Sequence, residues 1–134
     1  MTARPQRPSL GTLLGRALRR RCPVCGVGVP FKGWFRMTER CPHCGYFYER
    51  ETGYWVSALI VNMAATETLF GLFFVAVLFA TLPEVAWGPV LFVGAATNVV
   101  FPTVFYPLSK TVWVALDVFF HPLEPDERPP AARV

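Results

Sequence analysis

No lysine or arginine occurs between Trp55 and Ser109, although the 134-residue chain holds 13 of them. That gap argues against a single soluble domain, which needs cations spread over its surface. It also argues against a nucleic-acid-binding protein, because the formal net charge of +4 is not distributed as a groove for phosphates. Histidine is scarce, with two residues in all. There is no serine–histidine–aspartate set, no carboxylate pair framing a cleft and no phosphate-binding glycine loop, so the chain reads as non-enzymatic. The first 21 residues lack the apolar core of a cleavable signal, being interrupted by Arg4, Arg7, Arg16, Arg19, Arg20 and Arg21. The first apolar span is therefore expected to act as the uncleaved targeting signal.

What fills the cation-free interval is hydrocarbon. Trp55 to Leu82 has one acidic or basic side chain, Glu67, and Val85 to Tyr106 has none. A helix of the first length would be about 42 Å long, beyond the roughly 30 Å hydrocarbon core of a bilayer. The two spans, joined at Pro83-Glu84, predict a transmembrane hairpin. Ten of the 13 basic residues precede position 51 and Lys110 follows the second span. By the positive-inside rule both termini are then cytoplasmic, in a bacterial inner membrane, with anionic headgroups as partners of the basic segments.

Cysteine is limited to four residues, all in the head. Arg21-Cys22-Pro23-Val24-Cys25-Gly26 and Arg40-Cys41-Pro42-His43-Cys44-Gly45 are one device used twice. Each C-x-x-C aims two thiolates at one centre, and the glycine lets the chain turn tightly so that backbone N–H groups face the sulfurs. In a cytoplasmic head, four such cysteines are metal ligands rather than disulfides. Cys22, Cys25, Cys41 and Cys44 complete a tetrahedral, structural Zn2+ site, with iron and a redox dithiol pair as the competing readings. His43 is expected to face solvent. A head of this size buries too little apolar surface to fold alone, so metal binding and folding are coupled.

The organisation expected is a disordered or basic amphipathic segment at 1–19, a zinc ribbon at 20–52 and a transmembrane hairpin at 53–107, with spans 55–82 and 85–106. An interfacial helix at 108–121 and a disordered tail at 122–134 complete it. Leu10, Leu13, Leu14, Ala17 and Leu18 form one face of a short helix that could lie on the membrane. The aromatics between and after the knuckles, Phe31, Trp34, Phe35, Tyr46, Phe47 and Tyr48, suggest short ribbon strands. Pro107 is expected to end the second span. Inside the hairpin, Glu67 falls about 18 Å along the helix from Trp55, near the bilayer centre, where a carboxylate must be neutralised, paired or hydrated. A hairpin folded about Glu84 sets Glu67 level with residue 101, where a protonated Glu67 donates to Asn98, with Asn62 and Thr66 as reserve polar partners.

The order Arg-Cys-Pro-x-Cys-Gly, Phe31-Lys32-Gly33-Trp34, Cys-x-x-Cys-Gly, an aromatic-Glu segment and a transmembrane hairpin resembles a bacterial membrane family catalogued as domain of unknown function 983. The resemblance covers roughly Arg20 to Phe120. It implies that Cys22, Cys25, Cys41 and Cys44 are zinc ligands, that Gly26, Phe31, Gly33 and Gly45 match the family's marks, and that the role relates to biogenesis of respiratory oxidases. Three functions stay open on the residues. The first is an interaction or assembly factor, acting with a membrane-protein partner or as a homo-oligomer. The second is a proton- or ion-handling, transport-associated subunit using Glu67, and the third is a thiol-based metal donor. No small-molecule substrate is indicated.

Overall fold

The structure, a computed structural model, describes residues 8–124, 126 and 127. The proposed disorder of residues 1–7 and 128–134 lies outside them. Three helices are present: α1 (Leu10–Leu18), α2 (Tyr54–Thr81) and α3 (Trp87–Phe120). Between α1 and α2 the two cysteine knuckles form the head. The short strands expected there are reduced to two antiparallel bridges, Phe31 to Met37 and Arg40 to Phe47.

α2 and α3 run 28 and 34 residues with mean hydropathies of 1.9 and 1.5, long and apolar enough to cross a membrane. Only 6% of the most apolar window of either is buried, which separates them from the core helices of a soluble domain. Phe79 and Phe92, 82% and 76% exposed, point away from the partner helix as lipid-facing residues do. α2 buries a single stripe, Tyr54, Ala58, Asn62 and Thr66, at intervals of four. Ala58 and Thr66 in that stripe are small enough to let the helices approach closely, as does Gly94 on α3, where a Cβ would stand 3.0 Å from the Phe70 ring.

Two expectations are corrected here. Pro107 does not end the second span: α3 continues unbroken to Phe120, with Pro102 and Pro107 inside it. Pro107 withholds one N–H, leaving the carbonyl of Thr103 without its helical partner. The indole Nε1–H of Trp34, from the head, donates to that oxygen at 3.4 Å. A neighbouring group thus satisfies the carbonyl and the helix carries on. Residues 108–120 are accordingly not a separate helix. They extend α3 beyond the hairpin as a post for the rest of the chain.

That post is wrapped on several sides. Ser9 caps α1, its Oγ accepting from the Thr12 N–H at 3.3 Å. Leu13 and Ala17 of α1 pack on Ala115, and the Thr111 hydroxyl donates to the Ala17 carbonyl at 3.0 Å. The apolar face of α1 therefore meets α3 and not a membrane surface, leaving Leu18 exposed. Arg50 donates to Asp117 at 3.0 Å and, through Nε and Nη2, to both oxygens of Glu127 at 2.9 and 2.7 Å. The start of the segment expected to be a mobile tail is tied down by that fork.

Candidate metal centre

Each knuckle folds by local hydrogen bonds that the sequence repeats. Gly26 N–H donates to the Cys22 carbonyl at 2.7 Å and Gly45 N–H to that of Cys41 at 2.9 Å. Both glycines have φ +75°, a conformation costly for any residue with a Cβ. Cys22 N–H then donates to Gly28 O at 2.8 Å, and Cys41 N–H to Tyr46 O at 2.9 Å, so the second knuckle closes one residue earlier.

The result brings the four predicted ligands together. All four sulfurs lie within 4.8 Å of one another, and Cys22–Cys44 and Cys25–Cys41 are 3.9 and 3.8 Å apart. Those separations exclude disulfides, whose sulfurs bond at about 2.05 Å. They match the roughly 3.8 Å edge of a tetrahedron whose metal–sulfur bonds are about 2.3 Å. Gly28, whose N–H donates to Cys25 Sγ at 3.4 Å, fits the same reading. Any Cβ at Gly28 would collide with Cys41 Sγ, so the cage closes only over a glycine. Donor set and spacing fit a tetrahedral metal held by four thiolates.

Electrostatics divides the ligands. Burial pushes the Cys22 thiol up to about 11, against the hydrogen bonds it receives. Burial also pushes Cys44 up, further than Cys22. At Cys41 burial acts the same way, but hydrogen bonds from the Cys44 backbone, Tyr48 and the His43 backbone prevail, lowering it to about 7. The Tyr48 hydroxyl, fully buried, faces the Cys22 and Cys41 sulfurs without completing a hydrogen bond of good geometry. Its own ionisation is suppressed by burial and by those two sulfurs. A thiolate pair charged by a metal would give that hydroxyl its acceptor. His43 is exposed, as expected.

The centre is fastened at two places that the sequence did not reveal. Arg16 of α1 donates from Nη1 to the carbonyls of Pro23 and Val24, 3.0 Å each, clamping the first knuckle. Tyr46, Tyr48, Tyr54 and Val114 share one core with Cys22, Cys41 and Cys44, joining the metal cage to α2 and α3. At the edge of that core Asp117, 7% exposed, accepts from Arg50 and from the Tyr54 hydroxyl, 3.0 Å each. Its other oxygen lies 3.1 Å from His121 Nδ1, which places His121 as a helix-end residue. Nothing in the sequence spacing pointed to the pairing of Asp117 with Arg50.

Glu67 is not where the sequence argument put it. Asn62 Nδ2 donates to the Pro102 carbonyl at 2.9 Å, and Gly94 meets Phe70 at the same register. The hairpin is shifted by about one turn from a fold centred on Glu84, so position 67 stands level with residue 97. Glu67 also lies one position past the buried Thr66, turned about 100° from the stripe, and is exposed. Asn98 instead donates to the Gly94 carbonyl of its own helix at 3.0 Å, and the Thr66 hydroxyl to the Asn62 carbonyl at 2.8 Å. The reserve partner Asn62 makes the interhelical contact, and its Oδ1 stays buried without a donor.

The fold and site define a protein with two candidate membrane-spanning helices and a tetracysteine head beside them. Residues 31–117, more than half of the chain, match the family described as "Protein of unknown function (DUF983)". The chain belongs to that family. The match takes in the second knuckle and the hairpin and begins after Cys22 and Cys25. No curated protein and no solved structure matches the chain.

Proposed function

We propose that this protein is a non-enzymatic, membrane-anchored zinc protein of the bacterial inner membrane that serves as an interaction or assembly factor. Both termini are cytoplasmic in this reading. One observation carries it: four sulfurs spaced for a tetrahedron occupy every ligand position, so the metal has no open site for water or substrate. The metal then acts by shaping the head, holding Tyr46 and Tyr48 against α3. A surface fixed in this way at the end of a lipid-facing hairpin suits the docking of another membrane protein. The family resemblance directs the search for that protein to respiratory oxidase biogenesis.

Glu67 supports a proton-handling role less well, since its stripe-averted position gives it no polar partner among the described residues. The metal-donor reading needs a cage that opens, and the burial of Cys22, Cys41 and Cys44 disfavours it. The test is purification of the full chain in mild detergent from its native membrane, with bound subunits and metal quantified. A defined subunit should co-purify with the zinc-loaded chain and be lost from Cys41→Ser. Transfer of stoichiometric metal from the wild-type chain to a co-purified protein would replace the scaffold reading with the donor one.

A further inference from the structure

The turn that ends α1 is built at a cost. Arg20 N–H donates to the Ala17 carbonyl at 2.9 Å and Arg21 N–H to the Arg16 carbonyl at 3.0 Å, the paired bonds of a Schellman cap. The left-handed residue of such a cap is usually glycine; here it is Arg20, at φ 56°. A side chain kept where glycine fits better invites a functional explanation. Its guanidinium carbon lies 4.9 Å from the Phe31 ring centre and 4.6 Å from that of Trp34. Nη2 donates to the Gly33 carbonyl at 3.3 Å, while Nε is buried with no partner.

Arg19 and Arg21 flank it, both exposed, and neither enters an ion pair among the described residues. The three arginines line a cavity of about 450 Å³ with Val29, Phe31 and Trp34, and no acidic residue lines it. Its height on the hairpin is fixed by Trp34, bonded to Thr103, and by Phe35, 5.7 Å from the Tyr106 ring. Thr103 and Tyr106 lie about 24 and 29 Å along α3 from Trp87, one hydrocarbon thickness away. The cavity thus opens at headgroup level on the head side. Phosphate chemistry meets it there, with half-exposed Val29, Trp34 and Phe35 beside it for acyl chains.

We propose that Arg19, Arg20 and Arg21, framed by Phe31 and Trp34, form a binding site for the headgroup phosphate of an anionic glycerophospholipid. The site does not depend on the scaffold role or on its partner. It differs from diffuse positive-inside attraction by using particular arginines, and that difference can be measured. The full-length, metal-loaded chain in a neutral detergent is titrated with phosphatidylglycerol or phosphatidylcholine, and retained lipid is counted by native mass spectrometry. Phosphatidylglycerol should be retained over phosphatidylcholine. Arg19→Gln/Arg21→Gln should weaken its retention about thirtyfold, the effect of two interfacial cations. Lys32→Gln/Arg36→Gln removes the same charge from the neighbouring loop and should leave retention within about twofold.

Equal loss in the two double variants would mean diffuse attraction and overturn the site. Equal retention of phosphatidylcholine would overturn the anionic preference. Displacement of phosphatidylglycerol by inorganic phosphate would reassign the arginines to a soluble phosphorylated ligand, and displacement by a single-stranded oligonucleotide to nucleic acid. Bound metal and circular dichroism, unchanged in Arg19→Gln/Arg21→Gln, keep a folding defect from imitating the expected result.

Discussion

α3 is one helix with two environments. From Trp87 to Tyr106 it buries little beyond Val90 and Gly94 and shows its remaining faces outward. From Pro107 onward, Pro107, Ser109, Thr111, Val114, Ala115 and Asp117 are all buried, under α1, the head and the start of α2. The first half is organised by its solvent, since lipid accepts any apolar face. The second half is organised by named contacts: an ion pair, a hydroxyl on a carbonyl, tyrosines packed against a metal cage. What separates the halves is whether specific partners or a uniform solvent covers the helix.

The largest effect should come from breaking the cage. Cys22→Ser or Cys41→Ser should abolish stoichiometric metal, removing a term of about 10 kcal/mol or more in sites of this kind. Limited proteolysis should then cut within 20–52 while the helicity of α2 and of Trp87–Tyr106 persists. Collapse of the hairpin as well would erase the proposed division between the halves. The same cage sets a pH dependence. Cys22, raised to about 11, and Cys44, raised further, hold protons at neutral pH that the metal must expel. Metal affinity should therefore fall as pH falls, by more than tenfold per unit because more than one thiol proton is displaced. Below about 7 the Cys41 thiolate also protonates and the dependence steepens. Competition with a chelator at several pH values measures this slope.

Next in size is Asp117→Ala. It strands Arg50, whose side chain is 16% exposed, and removes the acceptor of Tyr54. Breaking such a pair costs about 3 kcal/mol, somewhat less here because Arg50 keeps Glu127. A lowered thermal midpoint for the head, with metal retained, is the expected outcome. A smaller step is Thr111→Val, which leaves the Ala17 carbonyl without the hydroxyl and costs about 1 kcal/mol. Hydrogen exchange should quicken in α1 and not in the hairpin.

The smallest effect is expected at Glu67. Glu67→Gln should change the stability of the isolated chain by less than about 0.5 kcal/mol, as surface substitutions do. The measurement is the detergent-unfolding midpoint. A marked shift would mean that Glu67 contacts a second copy or a partner, since the single chain gives it nothing to lose.

Legibility followed the range of the interaction. The cage was readable because C-P-x-C-G fixes ligand spacing within five residues and the repeat supplies the other half. The hairpin was readable because a bilayer demands length and apolarity, both properties of composition. Its register was not, and a shift of one turn moved Glu67 away from the level assigned to it. The end of the second span was misread for a related reason. Proline removes a bond locally, but whether the helix stops depends on who takes the freed carbonyl, here Trp34, 69 residues away in sequence.

The sequence by itself determined the four-cysteine cluster, the apolar spans and the concentration of positive charge before Glu51, because each is set by residue type within a short window. The tertiary structure alone decided that α1 lies on α3, that Arg50 joins Asp117 to Glu127, and that Asn62, not Glu67, bridges the helices. Those outcomes turn on which of several chemically adequate partners arrives within hydrogen-bonding distance. Residue type leaves that choice open, and packing makes it.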